Sequence, residues 1–76
     1  MKFVLRGDHI ALDALLKATG TAPSGGAAKV MVDAGAVRVD GVVESRRSRK
    51  VRAGQVVVAG EARITVVAAP PAPPES

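Results

Sequence analysis

The apolar residues of this chain change their spacing at Gly35, and this change limits the fold more than any other feature. Before Gly35 they recur every three to four residues, as at Leu12 and Leu15, which is the spacing of one helix face. After Gly35 they alternate with polar residues, as at Val37 and Val39, which is the spacing of a half-buried strand. A helical half followed by a strand half predicts an α+β domain.

Two short helices are predicted in the N-terminal half. The first covers residues 11–19 and is followed by Gly20, a residue type that commonly follows a helix C-terminus. The second covers residues 25–34 and has Ser24 as its N-cap, because a serine hydroxyl can accept a hydrogen bond from an unpaired backbone amide. Pro23 marks the loop between them, so the two helices form a hairpin.

Short strands are predicted before and after the helix pair. The dipeptide Asp40-Gly41 is a strong signal for a tight hairpin turn, and Gly60 marks a second turn. The predicted strands cover residues 3–6, 37–39, 42–43, 56–58 and 63–67. We therefore expect two N-terminal helices packed on a small, mainly antiparallel sheet.

A chain of 76 residues forms at most one small domain. Four of the five prolines lie in residues 68–76, which predicts a disordered Pro-rich tail, so the folded domain should cover residues 1–67. A domain of this size buries only about 60% of its unfolded surface, which leaves little room for an internal active site. Phe3 is the sole aromatic residue, so the core must be aliphatic.

Residue composition argues against catalysis and metal binding. There is no cysteine to form a disulfide or a thiolate metal site, and His9 is the sole histidine, with no carboxylates at metal-ligand spacing around it. Residues 20–30 lack the Gly-Lys-Ser/Thr of a nucleotide-binding loop. We therefore expect no enzyme activity, no catalytic residue, no cofactor, no metal and no small-molecule substrate.

The same composition argues against a membrane protein. Charged residues interrupt the apolar ones near Met1, so no signal peptide is expected, and the longest apolar run, residues 64–71, is far shorter than the roughly 20 residues of a spanning helix. We expect a cytoplasmic location.

The positive charge of the chain is concentrated in residues 46–52, which we call the basic segment. It contains five cations and no acid, and the remaining six Lys and Arg residues are outnumbered by the seven acids. A focused patch of this kind is typical of a protein that contacts a phosphate backbone. Its cations are Arg46, Arg47, Arg49, Lys50 and Arg52.

A second candidate site lies at the start of the predicted second helix. Ser24, Gly25 and Gly26 are small residues that would leave backbone amides open to an anion, and Lys29 follows about one turn later. The alternative is ordinary capping beside a solvated lysine. Because base-stacking aromatics are missing, nucleic acid would be bound through its backbone and shape.

The ordered set of motifs resembles the S4-type (αL-like) RNA-binding domain, and most closely the small stand-alone bacterial proteins of the YbcJ type. The motifs are S-G-x-x-A-K from Ser24, V-D-G-x-x-E-x-R from Val39 and K-x-x-A-G-Q from Lys50. Other matching positions are Leu12, Asp13, Leu15, Leu16, Gly20, Gly35 and Val37.

The resemblance implies a domain that binds structured RNA, usually ribosomal or transfer RNA, and we expect a role associated with the ribosome or with RNA assembly. We also expect the protein to be a monomer. In such domains the helix pair and its adjoining loop make the contacts. Two positions depart from the family pattern: Gly25 stands where Arg is common, and Asp40 stands where Asn is preferred.

Two other functions are compatible with the sequence. The first is a protein-interaction adaptor that uses the basic segment and the proline-rich residues 70–74. The second is a small anion-binding or enzymatic site at residues 24–26.

Overall fold

The computed structural model describes residues 1–70 as two helices and seven strands. The helices are α1 (Leu12–Ala18) and α2 (Gly25–Asp33). The strands are β1 (Lys2–Leu5), β2 (Ile10–Ala11), β3 (Val37–Val39), β4 (Val42–Val43), β5 (Lys50–Val51), β6 (Val56–Ala59) and β7 (Ala62–Ala68).

The predicted helices and the five predicted strands are confirmed, with ends that differ by one or two residues. The sequence did not predict β2 and β5, which pair with each other as a separate antiparallel ribbon. Each is only two residues long, too short to show an alternating pattern. The ribbon places part of the basic segment beside the residues that lead into α1.

The main sheet has five strands in the order β1-β7-β6-β3-β4. Strands β7, β6, β3 and β4 are antiparallel neighbours, whereas β1 runs parallel to β7. The sheet is therefore mixed but mainly antiparallel, as expected. Its parallel pair joins the first and last strands, because the chain crosses through both helices before it returns to the sheet.

The turn between β3 and β4 has the geometry that its sequence predicts. Asp40 and Gly41 both have positive φ angles, 52° and 82°. A two-residue hairpin turn of type I′ needs positive φ at both central residues, and Asp and Gly are among the residue types that tolerate it. The turn fixes the register in which Val39 lies opposite Val42.

The core is aliphatic and lies between the helix pair and one face of the sheet. The helices contribute Leu12, Leu15, Leu16, Ala28 and Val32. The strands contribute Leu5, Val37, Val39, Val51, Val57, Ala59, Ile64 and Val66, and Ala22 comes from the loop between the helices. Among residues 1–70 no polar or charged side chain is buried, so apolar burial holds the helices on the sheet.

The last strand extends slightly beyond the predicted domain boundary. Ala68 belongs to β7, and the amide of Ala69 donates a hydrogen bond to the carbonyl of Leu5 at 3.0 Å. The rest of the predicted tail, from residue 71 onward, lies outside the described residues. Neither α1 nor α2 is long and apolar enough to cross a membrane.

Candidate nucleic-acid interface

The backbone of the basic segment is bound to the start of α1. The residue before this helix, Ala11, has no side-chain oxygen to cap it, so its first amides need other acceptors. The amide of Leu12 donates to the carbonyl of Arg49 at 2.9 Å, and the amide of Asp13 donates to the carbonyl of Arg47 at 3.0 Å. The basic segment therefore caps α1 through its backbone carbonyls, and its side chains take no part in the capping.

Three cations of the basic segment are exposed and have no ion-pair partner within residues 1–70. They are Arg46, Arg47 and Lys50. A hydrogen bond from the amide of Arg49 to the carbonyl of Arg46, at 3.2 Å, closes a turn that carries the first two. Within residues 1–70 their charges are not neutralised by an acid, which leaves them open to contact with phosphates.

The other two cations of the basic segment lie beside acids outside it. Nη1 of Arg52 lies 3.1 Å from Oδ1 of Asp8, and Nη1 of Arg49 lies 4.0 Å from Oε2 of Glu44. Asp8 is 44 residues from Arg52, so only the fold brings that pair together, whereas Glu44 is close to Arg49 in sequence. Two of the five positive charges are thus partly neutralised within the protein.

Arg49 is the least exposed cation of the segment. Its side chain is 38% exposed, that of Glu44 is 18% exposed, and its Nε is buried without a hydrogen-bond partner among residues 1–70. A cation in this position is directed toward the protein more than toward solvent. Arg49 is therefore less accessible to a ligand than Arg46 and Arg47, which are exposed.

Asp40 fastens the neighbouring hairpin to the sheet. Its carboxylate accepts hydrogen bonds from the amide of Val56 at 2.9 Å and from Nε2 of Gln55 at 3.1 Å. The Val56 amide, then the Gln55 amide group and the charge of Arg49, hold the pKa of Asp40 below its ordinary value. Asp40, which stands where the resemblance leads one to expect Asn, is therefore held by hydrogen bonds within the protein.

The start of α2 has the geometry that the sequence predicts. Oγ of Ser24 accepts a hydrogen bond from the amide of Ala27 at 3.1 Å, so Ser24 is the N-cap. Within residues 1–70 the amides of Gly25 and Gly26 have no acceptor, and both residues are exposed. Lys29 is exposed on the same side of the helix, because it follows Gly25 by four residues.

The two candidate sites lie toward the two ends of α1. The basic segment is bonded to its first residues, and the loop to α2 leaves from its last turn, where the amide of Ala22 donates to the carbonyl of Leu16 at 3.0 Å. A helix of seven residues is about 10 Å long. No hydrogen bond or ion pair joins the two sites within the described part of the chain.

The protein is therefore an α+β domain in which a helix hairpin packs on a sheet and a basic loop caps the first helix. The S4 domain family matches residues 3–67, and the chain belongs to that family. The resemblance seen in the sequence motifs is thereby confirmed.

Two curated relatives carry the name YbcJ. The chain is 43% identical over 60 residues to the "Putative RNA-binding protein YbcJ" of Escherichia coli (strain K12), which covers 79% of this chain and 86% of that protein. The same figures apply to the "Uncharacterized protein YbcJ" of Shigella flexneri.

A solved structure of a YbcJ protein is among those with a similar fold. It is the solution structure of YbcJ from E. coli, described as revealing an ALFAL motif involved in RNA binding. Its TM-score is 0.69 at 40% sequence identity, and the match covers 87% of this chain and 85% of that chain.

Proposed function

We propose that this protein is a non-catalytic module that binds structured RNA through contacts with the phosphate backbone. The partner is a folded ribosomal or transfer RNA. The protein binds it in association with the ribosome or during RNA assembly. The protein acts as a cytoplasmic monomer. Membership of the S4 domain family and the similarity to YbcJ support RNA as the partner.

The observation that carries the proposal is the unpaired positive charge on the ordered basic segment. Arg46, Arg47 and Lys50 are exposed beside the start of α1, and the backbone beneath them is held by hydrogen bonds to that helix. Arginine forks bind phosphate oxygens in pairs, and contacts from an ordered backbone cost less conformational entropy than contacts from a mobile loop. These three residues are the primary contacts in this proposal.

The start of α2 supplies a second contact in the proposal. The open amides of Gly25 and Gly26 and the side chain of Lys29 could share one phosphate, with Ser24 holding the helix end. Arg49 and Arg52 contribute mainly by placing the segment, because each has an acid beside it.

Contacts of this kind give affinity with little sequence preference. Phe3, the sole aromatic residue, packs against the aliphatic core and offers no platform for stacked bases. Recognition would therefore depend on the shape of the RNA and on the positions of its phosphates.

A salt titration against a structured RNA hairpin tests the proposal. Each neutralised phosphate contributes about −0.7 to −0.9 to the slope of log affinity against log salt. Three or four contacts, from the basic segment alone or together with Lys29, predict a slope of about −2 to −3.6. A slope near zero would contradict phosphate contact, and a strong preference among hairpins of equal shape would contradict backbone recognition.

No observation favours the adaptor function suggested by the sequence. Its proline-rich ligand lies almost wholly outside the described residues, so the structure supplies no contact on which to build it. If the basic segment bound an acidic protein but not RNA, the adaptor function would be favoured over RNA binding.

A further inference from the structure

The sheet has a second face that the proposed RNA site does not use. The side chains of Val37, Val39, Val57 and Ile64 are buried in the core, and the residues that alternate with them point to the opposite side. We call this side the outer sheet face. Its members are Lys2, Val4, Arg38, Val43, Val56, Val58, Arg63, Thr65 and Val67.

Every charged residue on the outer sheet face is a cation. Arg38 and Arg63 lie opposite Val58 on its two neighbouring strands, and Lys2 lies opposite Thr65. All three cations are exposed, and none forms an ion pair within residues 1–70. An ordinary solvated sheet face mixes charges of both signs. The nearest acids in sequence, Asp40 and Glu61, are each two residues from an arginine and lie in the β3–β4 and β6–β7 turns.

The spacing of these cations suits an extended anionic ligand. Strands lie about 4.8 Å apart and rise about 3.3 Å per residue, so Arg38 and Arg63, which are level, are separated by about 10 Å, and Lys2, three strands from Arg38 and two residues out of line with it, lies about 16 Å away. A nucleic-acid duplex carries a charge about every 1.7 Å along its axis, so a segment of this length offers several phosphates to the face.

The apolar residues of this face do not favour a protein partner. A protein interface needs an apolar centre that is open to the partner. Here the central valines, Val56, Val58 and Val67, are half-buried, and the exposed valines, Val4 and Val43, lie on the two edge strands of the sheet. The face therefore presents exposed charges to a partner and has no exposed apolar centre.

We propose that the outer sheet face is a second phosphate-binding surface, which lets one copy of the protein hold two RNA segments. The inference rests on the proposed function for its first RNA contact. The basic segment lies on the other side of the sheet, since Val51 within it is buried in the core. Two RNA segments can therefore be bound without overlap, one against α1 and one against the outer sheet face.

Two RNA hairpins, one labelled with a fluorescence donor and one with an acceptor, test this inference. Wild-type protein should bind the first hairpin and, at excess RNA, bring donor and acceptor together. Native mass spectrometry should then find one protein copy with two hairpins. A bridged complex with two protein copies would overturn the inference, because dimerisation would explain it.

Two double variants separate the surfaces. Each removes two positive charges, so each is the net-charge control for the other. Arg38→Gln/Arg63→Gln should lower affinity for the second hairpin at least about tenfold and reduce the salt slope of that step by about 1.8, with the first step unchanged. Arg46→Gln/Arg47→Gln should weaken the first step and leave the second unchanged.

The outcomes distinguish this inference from the proposed function. If wild type binds one hairpin but never two, the inference fails and the proposed function stands. If wild type binds no hairpin, both fail. If Arg38→Gln/Arg63→Gln retains bridging but loses binding to poly-L-glutamate, the outer sheet face is a docking site for acidic protein and the inference is overturned.

Discussion

The carboxylate of Asp40 accepts a hydrogen bond from the backbone amide of Val56 at 2.9 Å, and the amide of Asp40 donates to the carbonyl of Val56 at 2.8 Å. These two bonds fix the β3–β4 turn against the start of β6, with Gln55 as a further donor. Because the donors favour the charged carboxylate, the pKa of Asp40 is lower in the folded protein than in the unfolded chain.

Asp40 should therefore make the stability of the domain depend on pH. A lowered folded pKa stabilises the protein above the ordinary carboxyl pKa, and this contribution is lost as pH falls through the folded pKa. We expect Asp40→Asn, which keeps an acceptor and tolerates positive φ, to lose less stability than wild type between pH about 7 and about 3. Thermal unfolding over this range measures it.

The matched control for this prediction is Asp33→Asn, which removes an exposed carboxylate from the end of α2. Its stability should follow the wild-type dependence on pH more closely than that of Asp40→Asn. Parallel curves for wild type and Asp40→Asn would show that the turn hydrogen bonds do not contribute to acid sensitivity.

A positive charge at position 25 should strengthen RNA binding. A Cβ built on Gly25 would have no heavy atom within 4 Å, and Gly25 is not among the residues with positive φ, so a larger side chain fits there. Gly25→Arg restores the residue type that is common in the family and adds a cation beside the open amides of α2. We expect several-fold tighter binding and a salt slope steeper by about 0.9.

Gly25→Gln is the control for this variant, because it adds a side chain of similar length without the charge. If the Arg and Gln variants bind a structured RNA hairpin equally well, position 25 does not face a phosphate. The start of α2 would then be a helix cap only.

Removing the charge of Arg49 should affect stability more than removing the charge of Arg47. Arg49 lies beside the mostly buried Glu44, which would lose its partner, whereas Arg47 is exposed and has no ion pair within residues 1–70. We expect Arg49→Gln to lower the free energy of unfolding by about 1 kcal/mol, and Arg47→Gln by less than about 0.5 kcal/mol. Urea denaturation of the two variants compares them directly. Equal losses would mean that Arg49 has no positioning role.

The elements that sequence predicts well are those whose signal is local. The helix α1 shows in the spacing of its leucines, and the N-cap of α2 shows in Ser24. The turn at Asp40-Gly41 is specified by the two residues that form it. In each case the stabilising contacts lie within a few residues, so the pattern and its cause occupy the same short segment.

The parts that sequence did not predict depend on contacts between distant residues. The β2–β5 ribbon joins Ile10 to Val51, and Arg52 meets Asp8, yet neither pairing leaves a periodic trace. The charge run indicated a basic segment but not which cations are neutralised, because Asp8 meets Arg52 only in the folded chain and the sequence does not show which cation the nearby Glu44 meets. The sequence therefore located the candidate site. The fold shows which of its cations lie beside an acid and which have no ion-pair partner within residues 1–70.

The end of β7 should matter more to stability than the segment after it. Deleting residues 68–76 removes the pairing of Ala68 with Leu5 and the hydrogen bond from the amide of Ala69 to Leu5. We expect this deletion to lower the free energy of unfolding by about 1 to 2 kcal/mol, whereas deletion of residues 71–76 should change it little. Neither deletion should alter RNA affinity strongly under conditions where both remain folded. A large loss of RNA binding with the shorter deletion would favour the adaptor reading.

The exposed arginines of the basic segment should dominate the salt dependence of RNA binding. Arg46→Gln/Arg47→Gln removes two phosphate contacts, so the slope of log affinity against log salt should become shallower by about 1.8. Affinity should fall by about the same factor for hairpins of different sequence, because the lost contacts carry no base information. The fold should be retained, since both side chains are exposed and the carbonyls that cap α1 are unchanged. Arg38→Gln/Arg63→Gln removes the same net charge from the outer sheet face and should leave the slope of the first binding step close to wild type. If the two double variants change the slope equally, net charge and not the position of the basic segment governs binding.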